Sequence, residues 1–330
     1  GGLSGTLNIP AFSLAKLLRQ WQPQTGWGGD LMLAGHVHVE HSSSNPWQVK
    51  ASVEKVSGDL TLSDETIEGN ATQFLGIDRS KLELNASHGL WVFTQHFEGQ
   101  VLGKLLGRQS VQASSPTGLP RATDPISGAW DIHVENLRPW AAWVPPGWRL
   151  NGRVTAHAEL AGTLGSPQYQ GSVLGQSLQL SNALMGVNLT DGRMTLALQG
   201  AKATLDEFVA SGGHQGGIVR ARGHAVLDGV PQMEVQIEAD RFALLQRIDR
   251  RLLVSGQATA AMGESDIDVK GKFRVDEGLF DLSRSDAPTI GEDVNVVNGP
   301  GAKVGEEDSE GNGRGSQRKV QASVEIALGD

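Results

Sequence analysis

The chain has 330 residues, with 28 basic and 37 acidic side chains, a formal net charge of −9 and no cysteine. The acidic balance disfavours nucleic acid as a partner, because phosphate binding requires clustered Lys and Arg. The lack of cysteine excludes disulfides and thiolate metal sites. No apolar run approaches the ~18 residues of a transmembrane helix. The first residue is Gly1 and a strand pattern runs up to the last residues, so we expect both natural termini to lie outside this sequence.

The first third of the chain predicts a strand, a short helix and then a series of strands. Residues 2–9 read as a strand, and a short helix is predicted over Ser13–Trp21, between Pro10 and Pro23. The stretch 114–125 is rich in Ser, Thr and Pro and predicts a loop. Strands are predicted between the helix and this loop near 30–40, 47–56, 58–62, 80–85, 90–99 and 110–113.

From residue 128 onward the strand pattern becomes regular. A strand over 128–135 precedes a Trp-rich helix or turn at 137–143, and a short helix or polar turn is predicted at 241–251. Turns are predicted at Asp191-Gly192 and Glu277-Gly278. The remaining strands are predicted near 150–162, 170–181, 186–190, 192–199, 202–210, 216–227, 231–239, 252–262, 265–276 and 278–283. The polar run 299–318 predicts disorder.

The strands share one pattern, in which apolar and polar residues alternate. Val269, Phe273 and Val275 lie on one face of such a strand, and Lys270 and Lys272 lie on the other. A strand of this kind cannot bury its apolar face alone, so the strands must stack into a long sheet. The apolar side is then either the core of a closed sandwich or solenoid, or a surface that holds something else apolar. The 43 glycines favour close backbone approach over a thick core.

Few residues suggest catalysis or metal binding. His36 and His38 share a strand face and could form a metal pair, but a solvated face without a fixed carboxylate or thiolate partner explains them better. The acidic pairs Asp64-Glu65 and Asp206-Glu207 have no partnered His and are interpreted as solvated turns. The tryptophans at 130, 140, 143 and 148 either contact a membrane or partner, or cap the sheet edge; we favour capping. We predict no enzyme activity, no cofactor and no metal.

Several stretches of the second half carry a resemblance by their order and spacing. They are Leu137–Gly152 with its three tryptophans, Gly162–Pro167, Gly186–Gly192, Ala239–Phe242, Arg247–Arg251, Val275–Leu279 and Ser283–Pro288. Together they resemble the TamB family, in the AsmA-like superfamily, in its proteobacterial form. The resemblance extends over residues 2–293 and is strongest from about residue 128.

The resemblance implies a fold and a role. TamB-like proteins are long open β-grooves (β-tacos) with an apolar interior, anchored in the inner membrane, spanning the periplasm and meeting the outer-membrane barrel TamA. They are associated with phospholipid transport between the membranes and with outer-membrane protein assembly, including autotransporter assembly and protein secretion. The family's membrane anchor has no counterpart in this sequence. We therefore expect a periplasmic segment of a phospholipid conduit. The family supplies no catalytic residues.

These inferences give one architecture. We predict an all-β fold of elongated, stacked amphipathic strands forming an open groove, with a few short helices. The expected segments are a β-groove over 1–113, a loop over 114–127, a second β-groove over 128–290, a linker over 291–319 and the start of a strand at 320–330. The residues predicted to line the lipid groove are Val154, Ala156, Ala158, Leu160, Met194, Leu196, Leu198, Val219, Ala221, Ala225, Leu227, Met233, Val235, Ile237, Ile267, Val269, Phe273 and Val275.

Two other functions remain open at this stage. The chain could be a scaffold or chaperone that offers its strand edges to incoming outer-membrane or autotransporter strands by β-augmentation. It could also be a β-solenoid that binds polysaccharide. That function would require aromatic platforms in register on an outer face, and the sequence does not have them.

Overall fold

The structure is a computed structural model that describes residues 2–22, 26–42, 45–64, 71–143, 147–212, 216–228, 232–247, 250–263, 266–280 and 319–328. Within these residues the chain is almost entirely β-structure. The strands of the first half are β1 (Gly2–Ser13), β2 (Gly26–Gly29), β3 (Met32–Ser42), β4 (Asn45–Ser57), β5 (Leu60–Asp64), β6 (Ala71–Phe74), β7 (Ile77–Ser87), β8 (Leu90–Gly99), β9 (Gly103–Gln112) and β10 (Ile126–Val134).

The second half continues with longer strands. They are β11 (Arg149–Thr163), β12 (Ser166–Asn182), β13 (Val187–Gly200), β14 (Lys202–Ser211), β15 (Ile218–Val226), β16 (Gln232–Gln246), β17 (Arg250–Met262), β18 (Asp266–Phe280) and β19 (Lys319–Leu328). The helices of the described residues are α1 (Leu14–Trp21) and a 3-10 helix over Arg138–Trp143. This confirms the predicted all-β fold with a few short helices.

Sixteen of these strands form one sheet, in the order β1-β3-β4-β7-β8-β9-β10-β11-β12-β13-β14-β15-β16-β17-β18-β19. Neighbours are antiparallel except β18 and β19, which are parallel. Among the described strands, β1 and β19 do not pair with each other, so the sheet is open and does not close into a barrel. We call this sixteen-stranded sheet the wall. With strands about 4.8 Å apart, the wall is about 70 Å long.

The two rims of this sheet differ. We call the rim at which β1 ends and β3 begins the helix rim, because α1, the small sheet β2-β5-β6 and the 3-10 helix all lie in connections at that rim. The opposite rim, the hairpin rim, holds mostly short connections such as His88-Gly89 and Leu164-Gly165. The accessory elements therefore gather along one side of the wall.

A hydrophobic core lies at the helix rim, where α1 and the small sheet pack over the first strands. α1 begins after Ser13, whose hydroxyl accepts a hydrogen bond from the Lys16 backbone N–H at 3.4 Å. The core joins residues of α1, the small sheet and the connections to residues of β3, β4 and β7 (Ala15, Trp27, Leu31, Leu33, Leu60, Leu75 and Ile77, with Phe12, Leu14, Leu18, Val53, Leu62 and Leu102 packed against them). We call this assembly the cap.

The Asp59 carboxylate fastens the cap to the sheet. It accepts hydrogen bonds from the backbone N–H groups of Leu60, Gly76 and Ile77, each at 2.9 Å. The carbonyl of Asp59 in turn accepts from the N–H groups of Asp30 and Leu31, at 3.0 and 2.9 Å. One residue thus joins the connection before β3, the start of β5 and the start of β7.

Three predicted interruptions of the strands are wrong. β13 runs through the predicted turn at Asp191-Gly192, and β18 runs through Glu277-Gly278. The predicted helix or turn at 241–251 is largely strand, because β16 extends to Gln246. At Asp191 and Arg241 the backbone has positive φ (53° and 44°), and the strand pairing shifts register at both places. The polar residues mark β-bulges, which bend a strand without ending it.

The predicted segment boundaries stay a prediction. β9 and β10 pair directly, on either side of the predicted loop over 114–127. The predicted linker over 291–319 lies outside the described residues, apart from Lys319, which begins β19.

Gly217 should tolerate no side chain. Its φ is +76°, and a Cβ at this position would lie 2.0 Å from the carbonyl oxygen of Arg241. Gly200 also has positive φ (+62°), but a Cβ there meets no atom within 4 Å. We expect Gly200→Ala to cost about 1 kcal/mol of unfolding free energy from backbone strain alone. Gly217→Ala should cost clearly more, because the β16 backbone must move. Chemical denaturation of both variants tests this, and equal costs would contradict it.

Candidate functional site

The predicted groove-lining residues lie on one continuous face of the sheet. In a sheet, residues directly opposite each other on neighbouring strands share a face. From β10 onward, the register links Ile132, Ala156, Val173, Leu196, Leu205, Gly223, Val235, Ala260, Val269 and Ala322 in one row across ten strands. Thirteen of the eighteen predicted residues fall in this row or the rows directly beside it, and Leu160, Val219, Phe273 and Val275 lie in rows further out on the same face. Leu227 follows the end of β15 and is the exception.

This apolar face is half-exposed. Among the predicted lining residues only Leu160 is buried, at 5% exposure, while Met233 is 38% exposed. The other lining residues of the strands are intermediate in exposure. A second layer packed on the face would bury them, as it does in a closed sandwich. No such layer covers the face of β11–β18 among the described residues, so the closed-core interpretation is wrong for this part of the chain.

Glycines on the face make room for its larger side chains. Phe273 on β18 lies opposite Gly256 of β17. A Cβ at Gly256 would lie 2.8 Å from Cδ1 of Phe273, and one at Gly271 would lie 2.9 Å from Cε2 of the same ring. The Phe273 ring therefore packs flat against the sheet over Gly256 and Gly271 and does not project from it. Such positions give a smooth apolar surface, which suits a ligand that slides along it.

The same face continues through the first half of the chain, where no lining residues were predicted. The register connects the β10 face back to β1 through another row: Leu7, Val37, Ala51, Leu84, Phe93, Gln109 and Gly128. Alternation in β3 and β7 could have revealed these positions. β19 extends the face at the other end with Val324, Ile326 and Leu328, which are 48%, 64% and 84% exposed.

The opposite face of the sheet is polar and carries paired charges. His–acid contacts repeat along it at His38–Glu40, His96–Glu98, His133–Glu135 and His157–Asp131, at 3.3, 3.2, 2.7 and 2.7 Å. Lys81 of β7 lies 3.0 Å from Glu83 and 3.7 Å from Glu54 of β4, and these bonds raise its pKa. A shallow recess over β9–β12 includes Lys104, Asp131, His133 and His157 among its lining residues. Exposed pairs of this kind contribute little stability.

His157 on the polar face should titrate with a raised pKa. Its hydrogen bond to Asp131, reinforced by the charge of that carboxylate, raises the pKa of the imidazole above its ordinary value of 6.5. A raised folded-state pKa means that the stabilisation is complete below pH 6.5 and is lost as pH rises through the folded-state pKa. We expect Asp131→Asn to lower this pKa, measured by NMR titration of the His157 ring protons. Glu83→Gln on β7 should leave it unchanged; an unchanged His157 titration in the Asp131 variant would refute the assignment.

The other singled-out residues have ordinary surroundings. His36 contacts Asn8 at 2.7 Å, and His38 contacts Thr6 at 2.9 Å as well as Glu40. No group of three or more metal-ligating side chains occurs in the described part of the chain. Asp206 and Glu207 are exposed at a register shift in β14, and the Asp64 and Glu65 side chains lie outside the described residues.

The tryptophans do not form one group. Trp130 lies in the middle of β10 on the apolar face, with its ring centroid 6.4 Å from that of Tyr169. Trp140 lies in the 3-10 helix at the helix rim, where its indole nitrogen is buried without a partner. Trp148 precedes β11 and is half-buried, and the side chain of Trp143 is outside the described residues. The predicted capping of the sheet edge stays a prediction for Trp140.

Comparison with protein families gives a match to the last part of the chain. Residues 208–330, which run from the middle of β14 through β19, match the model of the TamB C-terminal domain. In this part of the chain the match supports the resemblance to the TamB family. TamB-family proteins are components of the bacterial envelope that act in transport and assembly, and they associate with TamA-type partners of the outer membrane.

No curated protein and no solved structure gives a significant match to the chain. None of the helices in the described residues has the length and apolarity that a membrane crossing requires.

Proposed function

We propose that the chain is a segment of a periplasmic conduit that carries phospholipids between the inner and outer membranes. The observation that supports this most is the apolar face, which is mostly half-exposed and continues in register from β1 to β19, with the buried amides of Gln95 and Gln109 within it. The similarity of residues 208–330 to the C-terminal domain of TamB, a transport and assembly component, supports it. In the complete protein we expect an inner-membrane anchor, a TamA partner and a link to outer-membrane protein assembly.

The chemistry of the face suits acyl chains. Exposing a lipid tail to water costs about 0.8 kcal/mol for each methylene group, and a continuous apolar wall removes that cost at every point along the path. The lining is mostly Ala, Val, Leu and Ile, which offer many similar weak contacts. The polar headgroup can remain in water at the open side of the wall. We propose the eighteen predicted residues, extended into β1–β9 and β19, as the lipid contacts.

Crosslinking to lipid tests the proposal directly. A photoreactive amino acid placed at Val154, Val235 or Val269 on the apolar face should form adducts with phospholipid when the chain is expressed in the bacterial periplasm. The same probe at Thr155, Gln236 or Lys270 on the polar face is the matched control. Mass spectrometry of the adducts identifies the lipid. Adducts that are absent from both faces, or equal on both, would overturn the proposal.

A second function has one specific observation in its favour. β19 is an edge strand whose residues 321–328 are all exposed, and β1 is exposed over residues 2–8 at the other edge. Unpaired edges can accept an incoming strand by β-augmentation, as a scaffold for outer-membrane or autotransporter strands would require. Probes at Gln321 or Ser323 distinguish the two functions: adducts to client strands at the edge favour the scaffold, whereas adducts to lipid along the face favour the conduit.

A further inference from the structure

The apolar face contains two buried amides halfway between its rims. Gln95 of β8 lies opposite Leu82 and Gly107, and Gln109 of β9 lies opposite Phe93 and Gly128. Their positions are therefore those of wall residues. They are 7% and 8% exposed, so they are also far more buried than most of the wall around them.

These amides form a network with Trp130. The side-chain amide N–H of Gln109 donates a hydrogen bond to Oε1 of Gln95 at 3.1 Å. With the Gln109 oxygen turned toward β10, it accepts a hydrogen bond from the Trp130 indole N–H at 2.9 Å. The three side chains thus join three neighbouring strands. Trp130 in turn reaches toward Tyr169 across β11, with 6.4 Å between the ring centroids.

Two glycines leave the space that this network occupies in the wall. A Cβ at Gly107 would lie 2.0 Å from Oε1 of Gln95 and 2.7 Å from Cδ1 of Trp130. A Cβ at Gly128 would lie 2.9 Å from Cγ of Gln109. Because Gly107 and Gly128 have no side chain, they leave room in which the amides and the indole pack closely.

Packing alone does not require polar groups at these positions. Burying an amide costs free energy unless its hydrogen bonds are replaced, and two apolar side chains of the same shape would avoid that cost. An amide has four hydrogen-bonding positions, and the contacts within this network use only part of that capacity. The network is thus a polar interruption of an otherwise apolar surface.

The network lies between two parts of the wall that differ in how far their apolar face is covered. On one side of it lie β1–β7, whose face is partly covered by the cap at the helix rim. On the other side lie β11–β18, whose face no described layer covers. We propose that Gln95, Gln109 and Trp130 form a polar step that slows acyl chains moving between the capped and the open parts of the groove. The inference rests on the proposed lipid-carrying function.

The step works through simple contacts. A lipid tail lying on Leu82 or on Ala156 touches hydrocarbon on the wall, but a tail over the network lies against the half-exposed Trp130 indole and the small exposed part of the two amides. Covering polar groups with a tail that cannot hydrogen-bond to them costs free energy. The tail must therefore cross a barrier, and the groove behaves as two connected compartments.

The experiment compares how fast the two compartments fill. Photoreactive probes at Leu82 and at Val235 report the capped and the open part in the full chain, mixed with vesicles of phosphatidylethanolamine and phosphatidylglycerol. Their filling rates should differ by about fivefold or more in the unmodified protein, and should converge in Gln95→Met/Gln109→Met. The control Gln236→Met/Gln257→Met changes two amides on the polar face of β16 and β17, and should keep the difference.

The outcomes separate the two proposals. Lipid adducts at both probes with equal rates, or an unchanged difference in the Gln95/Gln109 variant, would overturn the polar step and leave the conduit intact. No lipid at either probe would overturn both. Thermal unfolding checks that the double variant is folded; its melting temperature should fall modestly, because the Trp130 indole N–H loses its acceptor. If it fails to fold, Gln109→Met alone, which keeps the Gln95 amide, provides the same rate comparison.

Discussion

Val269→Asp is expected to remove most of the bound lipid while leaving the sheet folded. Val269 lies in the middle of the apolar face, opposite Ala260 on β17 and Ala322 on β19. A carboxylate placed against a lipid tail loses its hydration, which costs several kcal/mol. Without lipid the same carboxylate remains hydrated, because the face is half-exposed. The penalty therefore falls on lipid binding and not on folding.

Lipid recovered with the purified protein measures this effect. We expect a fall of about tenfold or more for Val269→Asp. The control is Ser323→Asp, which adds the same charge on the polar face, opposite Lys270; its lipid content should stay unchanged. Thermal unfolding of both variants checks that the sheet is intact. A folded Val269→Asp protein with a normal lipid content would contradict the conduit.

Leu31→Ala is expected to have the largest effect on stability. Leu31 is 0% exposed and lies at the centre of the cap. Truncating a fully buried leucine costs about 3 kcal/mol, partly from lost apolar contact and partly from the cavity that remains. The backbone bonds of Leu31 to Asp59 and Leu14 would persist, so the change acts on packing and not on the chain path.

The expected consequence is local. Because the cap is held mainly by its own core, we expect hydrogen exchange to accelerate in α1 and β5 and in the strands beneath them, while the amides of β11–β18 keep their protection. Leu17→Ala in α1 is the matched control, since Leu17 is 37% exposed, and it should change little. Uniform destabilisation of the whole sheet by Leu31→Ala would show that the cap and the open wall unfold as one unit.

The alternation of residues predicted the wall well, because period-two patterning depends only on the local geometry of a strand. Residues from Val154 to Val275 were assigned to one face from their parity, and the register connects them. The parity failed to reveal bulges: Asp191-Gly192 and Glu277-Gly278 have the composition of turns, and only the pairing of the neighbouring strands decides that the chain continues.

The cap and the polar step could not be predicted for a different reason. Leu31 and Leu75 follow no strand or helix period, and they come together because α1 and the small sheet fold over distant strands. Gln95 and Gln109 sit at wall positions within alternating strands, but their polarity removes them from an apolar pattern. Their contact with each other and with Trp130 depends on the register of three strands, which a single sequence does not reveal.

The meander order of the sheet has a consequence for how such a wall can change in length. From β7 to β18 each strand pairs with the next along the chain, so inserting a whole hairpin adds two strands, lengthens the wall by about 10 Å and returns the chain to the rim from which it left. The parity of every later residue and the rim of every later connection are preserved. A single inserted strand would reverse the direction of all that follow and move their connections to the opposite rim. Wall length is therefore free to vary by duplication or deletion of hairpins, in steps that could match the distance between two membranes.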